Sequence, residues 1–488
     1  MTLRHGLAML AVIAITRAPT ASAESTLSLM YADNGHALQW QLHVAGNNLT
    51  ALDAQGAMQW SISPSDGAAA DCQGITQFTL LVEDANGDWL IDAGIGERAR
   101  VIVTSSWRDG GGWQSAVLTL DVSRPGMHRL LWRRDSASLL RLARLVASPT
   151  VVRLPVGGAN RDPQHYVVLL GGGLPTPATP SHGARDGAAL LMLDAQDGTL
   201  LWTGAASGTP DQQLPLLTHG LSGAVTALDL DRDGNADRFY VGDAVATLWR
   251  FDVASGRSSR LQLAAGPLAR LAAAAAPEGR SLIAAPDVAL ISPPGVAPWF
   301  NVAVGTVQVT GSAGPAVPQA LFVLRDRFPY QSLSQADFDH LPPVTAAELP
   351  AIDAGVPASA PGYHLDLAGG SVARALTAAG VLLYTQVTGA DPLNACAAAA
   401  PEVIVKVSAV SALDGTPALD LDGDGQVDTA DRAVALPAGA ATALDGPQLQ
   451  TDSTADGGLR CRVGVATLAA CPRIARLTRR YWRREDAD

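Results

Sequence analysis

The sequence predicts an all-β chain, a modified β-propeller in which four-stranded blades form a ring and long loop insertions leave it. Two observations predict this. One strand–turn–strand pattern recurs at irregular spacing along the 488 residues, and recurrence of one unit is the mark of a repeat architecture. Within the copies, apolar and polar residues alternate and β-branched residues are common, which marks strands. Closing repeated sheets into a ring removes exposed edges, so blades are the natural arrangement. A stack of unrelated β-sandwiches is the alternative. Gly (48) and Pro (31) are spread through the chain, as many short strands joined by turns require.

Each copy begins with an apolar strand that ends near Gly. A second strand follows, then Asp and Gly at a hairpin turn, and often a closing Trp; Asp and Gly suit such turns. The first copy runs from Leu49 to Gly56, with Trp60 beyond it. The next covers Ala116 to Trp132, with Leu120-Asp121 at its centre. The clearest is Ala189 to Gly198, closing at Trp202, and Leu248 to Gly256 is a fourth. Weaker copies lie at Ala320 to Asp326 and Val403 to Gly415. The preceding strands include Val101 to Val103, Tyr166 to Leu170, Phe239 to Val241, Phe300 to Val304 and Val381 to Tyr384. The repeat resembles the quinoprotein-type propeller blade. Three stretches without a sustained period read as loops: Pro175 to Gly187, Gln331 to Pro361 and Ala435 to Gly458,.

Charge narrows the function. The net charge is −12, which disfavours general binding of nucleic acid or anionic lipid and suits cations. Lys406 is the one lysine, which argues against lysine-based catalysis. At the N-terminus, Arg4 and His5 precede the apolar run Leu7 to Ile15, and Ala21-Ser22-Ala23 offers a cleavage site. Residues 1–23 therefore read as a secretory signal peptide, leaving 24–488 as one exported domain. No other run reaches the roughly 18 apolar residues of a membrane span. Export and an even cysteine count favour disulfides. Cys461 and Cys471 flank a short stretch and are suited to pair, which would leave Cys72 with Cys396, one of three connectivities.

Two acidic motifs carry chemistry. The first is Asp229-Leu-Asp231-Arg-Asp233-Gly-Asn235-Ala-Asp237. Oxygens at positions 1, 3, 5 and 9, with Gly at 6, match the front of an EF-hand-like loop that wraps Ca²⁺. Asn235 would offer its backbone carbonyl, and Tyr240 stands where a bidentate carboxylate is usual. Flanking strands place the loop in a β-hairpin. The second is Asp420-Leu-Asp422-Gly-Asp424-Gly-Gln426-Val-Asp428-Thr-Ala-Asp431. It fills positions 1, 3, 5, 9 and 12, with the Gln426 carbonyl at 7, and resembles the dockerin-type calcium loop. A solvated acidic loop is the plainer reading of each, yet carboxylates this close repel one another without a cation. A third stretch, Asp84 to Asp92, has similar oxygen spacing but Trp89 in place of Gly, and reads better as an ordinary Asn-Gly hairpin turn. Gly171-Gly-Gly173 reads as a close backbone crossing. The C-terminal arginines, Arg473 to Arg484 around Tyr481-Trp482, suit either a docking surface for an acidic partner or a final solvated strand.

At the first motif the sequence resembles a known family. Ala227 to Asp243, followed by Leu248-Trp-Arg-Phe-Asp252, is similar to the PilY/PilC family of type IV pilus biogenesis factors and tip adhesins. Its pattern there is a D-x-D-x-D-G-x-x-D loop, a Tyr-x-Gly-Asp step and an N-L-W-R-F-D strand, with Thr247 here in place of Asn. Ala116 to Trp132, Leu169 to Gly173, Phe300 to Thr306 and Arg480-Tyr-Trp-Arg483 resemble further family segments. The similarity spans about residues 26 to 485. It implies about seven blades, a calcium loop with Asp229, Asp231, Asp233, Asn235 and Asp237 as ligands, and a non-enzymatic role. That role is regulation of pilus extension and retraction, with surface attachment. Implied partners are pilins, minor pilins and the pilus machinery, with a host or abiotic surface. The implied location is the periplasm, the outer membrane surface or the pilus tip. Family members usually carry a long N-terminal region with a von Willebrand A-like domain, which this sequence does not show. Two other readings compete. One is a quinoprotein-like dehydrogenase, although no vicinal cysteine pair or base linked to a cofactor site is evident. The other is a calcium-dependent carbohydrate-binding adhesin.

Overall fold

The computed structural model describes residues 26–472 apart from 34–35, 46–47, 65–71, 89, 155–165, 177–185, 255–260, 273–278, 309–316, 353–355, 368–369, 389–403, 439–445, 452–458 and 465. The proposed signal peptide, Cys396 and the C-terminal arginines lie outside the described residues.

Seven separate sheets follow one another along the chain, spanning 26–62, 72–135, 150–213, 226–270, 287–366, 371–435 and 447–467. They are the seven blades expected of a β-propeller. Six have four antiparallel strands in sequence order, and the seventh has three among the described residues. The third and fourth blades each gain a short parallel strand at the outer edge, Gln212–Gln213 and Val344–Thr345.

The recurrent sequence pattern is the middle of each blade. Arg98–Asp109, Tyr166–Gly171, Arg238–Gly242, Trp299–Gly305 and Val381–Thr388 are second strands. Gly112–Asp121, Ala189–Asp194, Thr247–Val253, Ala320–Asp326 and Ile404–Ser411 are the third strands paired with them. These strands lie between neighbouring blades, so both of their faces are covered. Every residue of Trp299–Gly305 and Ala320–Asp326 is buried. Burial on both faces explains why these strands read as apolar runs. The core is correspondingly divided among the seams. Val167, Leu169, Leu190 and Met192 of the third blade pack with Phe239, Val241, Trp249 and Phe251 of the fourth. Tyr240 and Leu248 of the fourth pack with Val302 and Phe322 of the fifth.

The Gly that ends the second strand of the third, fourth and fifth blades has a packing cause. A Cβ on Gly171 would lie 2.3 Å from the carbonyl oxygen of Leu221. On Gly242 it would lie 2.1 Å from Cβ of Leu282, and on Gly305, 2.1 Å from Cβ of Val372. In each case the obstacle is the chain entering the next blade, so glycine allows adjacent blades to meet. Gly172 and Gly173 likewise face backbone of Gly187, Arg141 and Arg144, as a backbone crossing predicts.

Two expected loops contain structure. Gln331 to Pro361 leaves the fifth blade between its third and fourth strands and holds the α-helix Gln335–His340 and the 3₁₀ turn Ala346–Glu348. Ser334 and Asp337 form a reciprocal capping box on the helix, a local signal that six residues are too few to extend into a visible period. Ala435 to Gly458 contains the first strand of the seventh blade, Pro447–Thr451. Its alternation was too short to stand out. Cys461 and Cys471 are joined in a disulfide across that blade.

Candidate metal centre

The first acidic loop connects the first two strands of the fourth blade, Thr226–Leu228 and Arg238–Gly242. Leu228 pairs with Arg238, which fixes both ends of the loop. Asp229 folds the chain back by accepting from the N–H groups of Arg232 (2.6 Å) and Gly234 (2.9 Å). Asp231 accepts from Asp233 N–H at 3.0 Å, and Asp233 from Asn235 N–H at 2.7 Å. Asp237 reaches back to accept from Leu230 N–H at 2.6 Å and Asp231 N–H at 3.4 Å. Asp229, Asp231 and Asp237 thereby bring one carboxylate oxygen each within 4.8 Å of the others. Burial pushes the Asp237 carboxyl up. The N–H bonds from Leu230 and Asp231 oppose this, the charges of Asp231 and Asp229 add to it, and the result lies above the usual range.

The second loop lies between the third and fourth strands of the sixth blade, Ile404–Ser411 and Val434–Ala435. It repeats the same bonds. Asp420 accepts from Gly423 (2.7 Å) and Gly425 (3.0 Å), and Asp422 from Asp424 at 3.1 Å. Asp424 accepts from Gln426 at 2.8 Å. Asp431 closes the loop, with Leu421 N–H at 2.5 Å, Asp422 N–H at 3.2 Å and Asp428 N–H at 3.0 Å. Burial pushes its carboxyl up, but these three N–H groups outweigh that and hold it below the usual range. Asp420, Asp422 and Asp431 form the second group within 4.8 Å. On Asp422 the Asp424 N–H lowers the carboxyl, while desolvation and the charges of Asp424, Asp431 and Asp420 leave it raised overall.

The expected ligands thus divide. Asp229, Asp231, Asp237, Asp420, Asp422 and Asp431 converge. Asp233 is turned onto the Asn235 side chain at 3.0 Å, and Asp428 caps the 3₁₀ turn Thr429–Ala433 through Ala430 N–H. In the first loop Asp237 makes the closing contacts that Asp431 makes in the second, so position 9 takes the role of position 12. Tyr240, at position 12, is buried and donates to Asp326 at 2.5 Å.

The reading of Asp84 to Asp92 as a tight Asn-Gly hairpin is corrected. Glu83 pairs with Arg98, so all of 84–97 is an excursion, and Ile91 within it pairs with Tyr31 of the first blade. Glu97, 2% exposed, accepts from the N–H groups of Ala85, Asn86 and Asp92. Asp84, Asp88 and Glu97 form the third acidic group. Sequence reasoning missed Glu97 because it stands beyond the usual loop length.

A second feature was also missed. Asp252 and Asp326 sit where the repeat has its turn-forming Asp, a role that Asp53 fulfils by accepting from Gln55 and Ala57 N–H. Asp252 and Asp326 are instead fully buried and ion-paired. Arg238 contacts Asp252 at 2.7 Å, and Arg250 contacts Asp252 at 2.6 Å and Asp326 at 2.8 Å. The Tyr-Val-Gly-Asp step ends in Asp243, whose carboxylate accepts from Val245 N–H, Thr247 N–H and the Trp249 indole. These contacts account for the spacing of that step and of Leu248-Trp-Arg-Phe-Asp252.

Known proteins resemble this chain in sequence over part of its length and in fold over most of it. The type IV pilus biogenesis factor PilY1 of Pseudomonas aeruginosa strain UCBPP-PA14 is 32% identical over 166 residues, 32% of this chain. Over that third of its length the chain is homologous to PilY1. A PilY1 homologue of Xylella fastidiosa is 32% identical over 162 residues, 33% of this chain. These matches cover only 12% and 11% of the two relatives. In structure, the crystallised C-terminal domain of P. aeruginosa PilY1 aligns with a TM-score of 0.60 at 19% identity, covering 90% of this chain and 93% of that one. The PilY1 propeller fold therefore extends over the described chain. No protein-family profile matches the sequence. Among the described residues, no helix is long and apolar enough to cross a membrane.

Proposed function

We propose that this chain is an exported, calcium-binding accessory protein of type IV pili that tunes pilus extension and retraction and takes part in surface attachment. Homology to PilY1 supports a function related to pilus biogenesis. One observation carries the calcium reading: two loops far apart in sequence build the same hydrogen-bonded frame and converge three carboxylates each. The donors are all hard oxygens, the chemistry Ca²⁺ prefers. In the first loop Asp229, Asp231 and Asp237 would hold the ion, with Asp233 and Asn235 completing the shell. In the second, Asp420, Asp422 and Asp431 would, with Asp424, Gln426 and Asp428 beside them. Burial, and then repulsion, raises Asp237 and Asp422; a bound cation offsets the repulsion and so stiffens each loop. Pilins and the assembly machinery are the proposed partners. The names of the curated relatives favour this over the dehydrogenase and carbohydrate-binding readings.

Calorimetry tests the ion sites. In a chain carrying Asp422→Ala, adding Asp231→Ala should weaken the remaining Ca²⁺ binding by about tenfold or more. Equal affinity with and without Asp231→Ala sinks the first site. Surface piliation of a deletion strain of the native host, complemented with wild type or Asp231→Ala, tests the biology. Unchanged piliation on deletion refutes the pilus role.

A further inference from the structure

The stretch from Phe328 to Ile352 is held at both ends by arginines that directly follow the closing carboxylates of the two acidic loops. At its start, Arg238, next to Asp237, donates to the carbonyls of Phe328 (3.0 Å), Pro329 (3.1 Å) and Gln331 (2.6 Å). At its end, Arg432, next to Asp431, donates to the carbonyl of Ile352 at 3.5 Å. The carbonyl of Arg432 is itself held by the Ser408 hydroxyl of the sixth blade. The loops belong to the fourth and sixth blades, and the stretch leaves the fifth between them. In a ring of antiparallel four-stranded blades, first-to-second and third-to-fourth connections emerge on one face. Both loops and the stretch therefore share a face.

The stretch is more than a tether. It contains the helix Gln335–His340, and Gln335 bonds both the N–H and the carbonyl of Ala265 on the outer strand of the fourth blade. Ser332 to Gln335 and Asp339 wall a groove of about 870 Å³ whose other side is Gln212 to Leu216 and Leu261 to Ala265. Tyr330, near the start of the stretch, is exposed.

We propose that cation binding at the two loops sets the order of Phe328–Ile352, each loop governing the end that its own arginine grips. This rests on the proposal that both loops take Ca²⁺. An ion that draws Asp237 or Asp431 into its shell fixes the backbone at that residue. The neighbouring arginine starts from that backbone, so its grip on the carbonyls tightens with it. Without the ion, repulsion among the carboxylates loosens the same anchor.

Hydrogen exchange read by mass spectrometry on the mature chain, with Ca²⁺ or with chelator, tests this, with calorimetry on the same samples. Exchange at 328–341 and at 346–352 should slow about tenfold or more on adding Ca²⁺. Asp231→Ala should abolish the response at 328–341 alone, and Asp422→Ala at 346–352 alone. Arg432→Gln, which spares the loop carboxylates and the buried ion pairs, should bind Ca²⁺ as wild type does yet lose the response at 346–352. Ca²⁺ binding by calorimetry with unchanged exchange at both ends overturns the coupling and leaves the calcium sites standing. A response at 346–352 that survives in Arg432→Gln overturns the role of that arginine. Absence of Ca²⁺ binding overturns both proposals.

Discussion

Asp252 shows how much depends on one carboxylate. It is fully buried and accepts from the Arg238 guanidinium, the Arg250 guanidinium and the Leu333 N–H. Removing it leaves two arginines facing the single charge of Asp326, in a site closed to water. Asp252→Ala should lower stability by about 3–5 kcal/mol, the cost of stranding a buried charge, read as a drop in melting temperature with Ca²⁺ held constant. An unchanged melting temperature would mean that the network is not closed to water. Arg232 is a contrasting case: it holds a left-handed backbone (φ 66°) at the loop position where the second loop has Gly423 (φ 81°). The residue types of the loops were legible in the sequence because the acidic spacing is local and matches the pattern that Ca²⁺ chemistry would prescribe. The buried roles of Asp252 and Asp326 were not, since a turn Asp and an ion-paired Asp look alike in a repeat.

The second strands that end in glycine set how closely the third to sixth blades approach one another. At those glycines the blade-to-blade approach leaves no space for a side chain. Gly242→Ala places a methyl group 2.1 Å from Cβ of Leu282, and the seam must open to admit it. The expected cost is about 1–3 kcal/mol, the range for overpacking, with a lower melting temperature. Gly295→Ala serves as a comparison, because a Cβ there meets nothing within 4 Å, although its positive φ (74°) carries its own small strain. A Gly242→Ala penalty no larger than that of Gly295→Ala would remove the seam argument. The apolar runs and the glycines were readable as strands and breaks. The short helix Gln335–His340 and the strand Pro447–Thr451 were not, because elements this short take their stability from the blades they dock on.

Across the whole molecule, calcium and pH should act together. Burial and neighbouring carboxylates raise the Asp237 and Asp422 carboxyls. Such groups contribute stability while protonated and lose it as pH rises through their folded values. Bound Ca²⁺ requires the ionised form and offsets that loss, so binding releases protons. The gap in melting temperature between calcium-loaded and chelated protein should therefore be wide at neutral pH and close as falling pH protonates these carboxyls. A gap independent of pH would exclude these carboxylates as the ligands. The sequence by itself determined the strand repeat, the acidic loops and the resemblance to pilus factors, because each is written in local spacing and residue chemistry. Only the tertiary structure decided that Asp237 closes the first loop as Asp431 closes the second, that Glu97 completes a third acidic group, and that Arg238 and Arg432 grip one shared stretch. Those facts depend on which blades lie side by side, and the ring brings together residues that no local spacing relates.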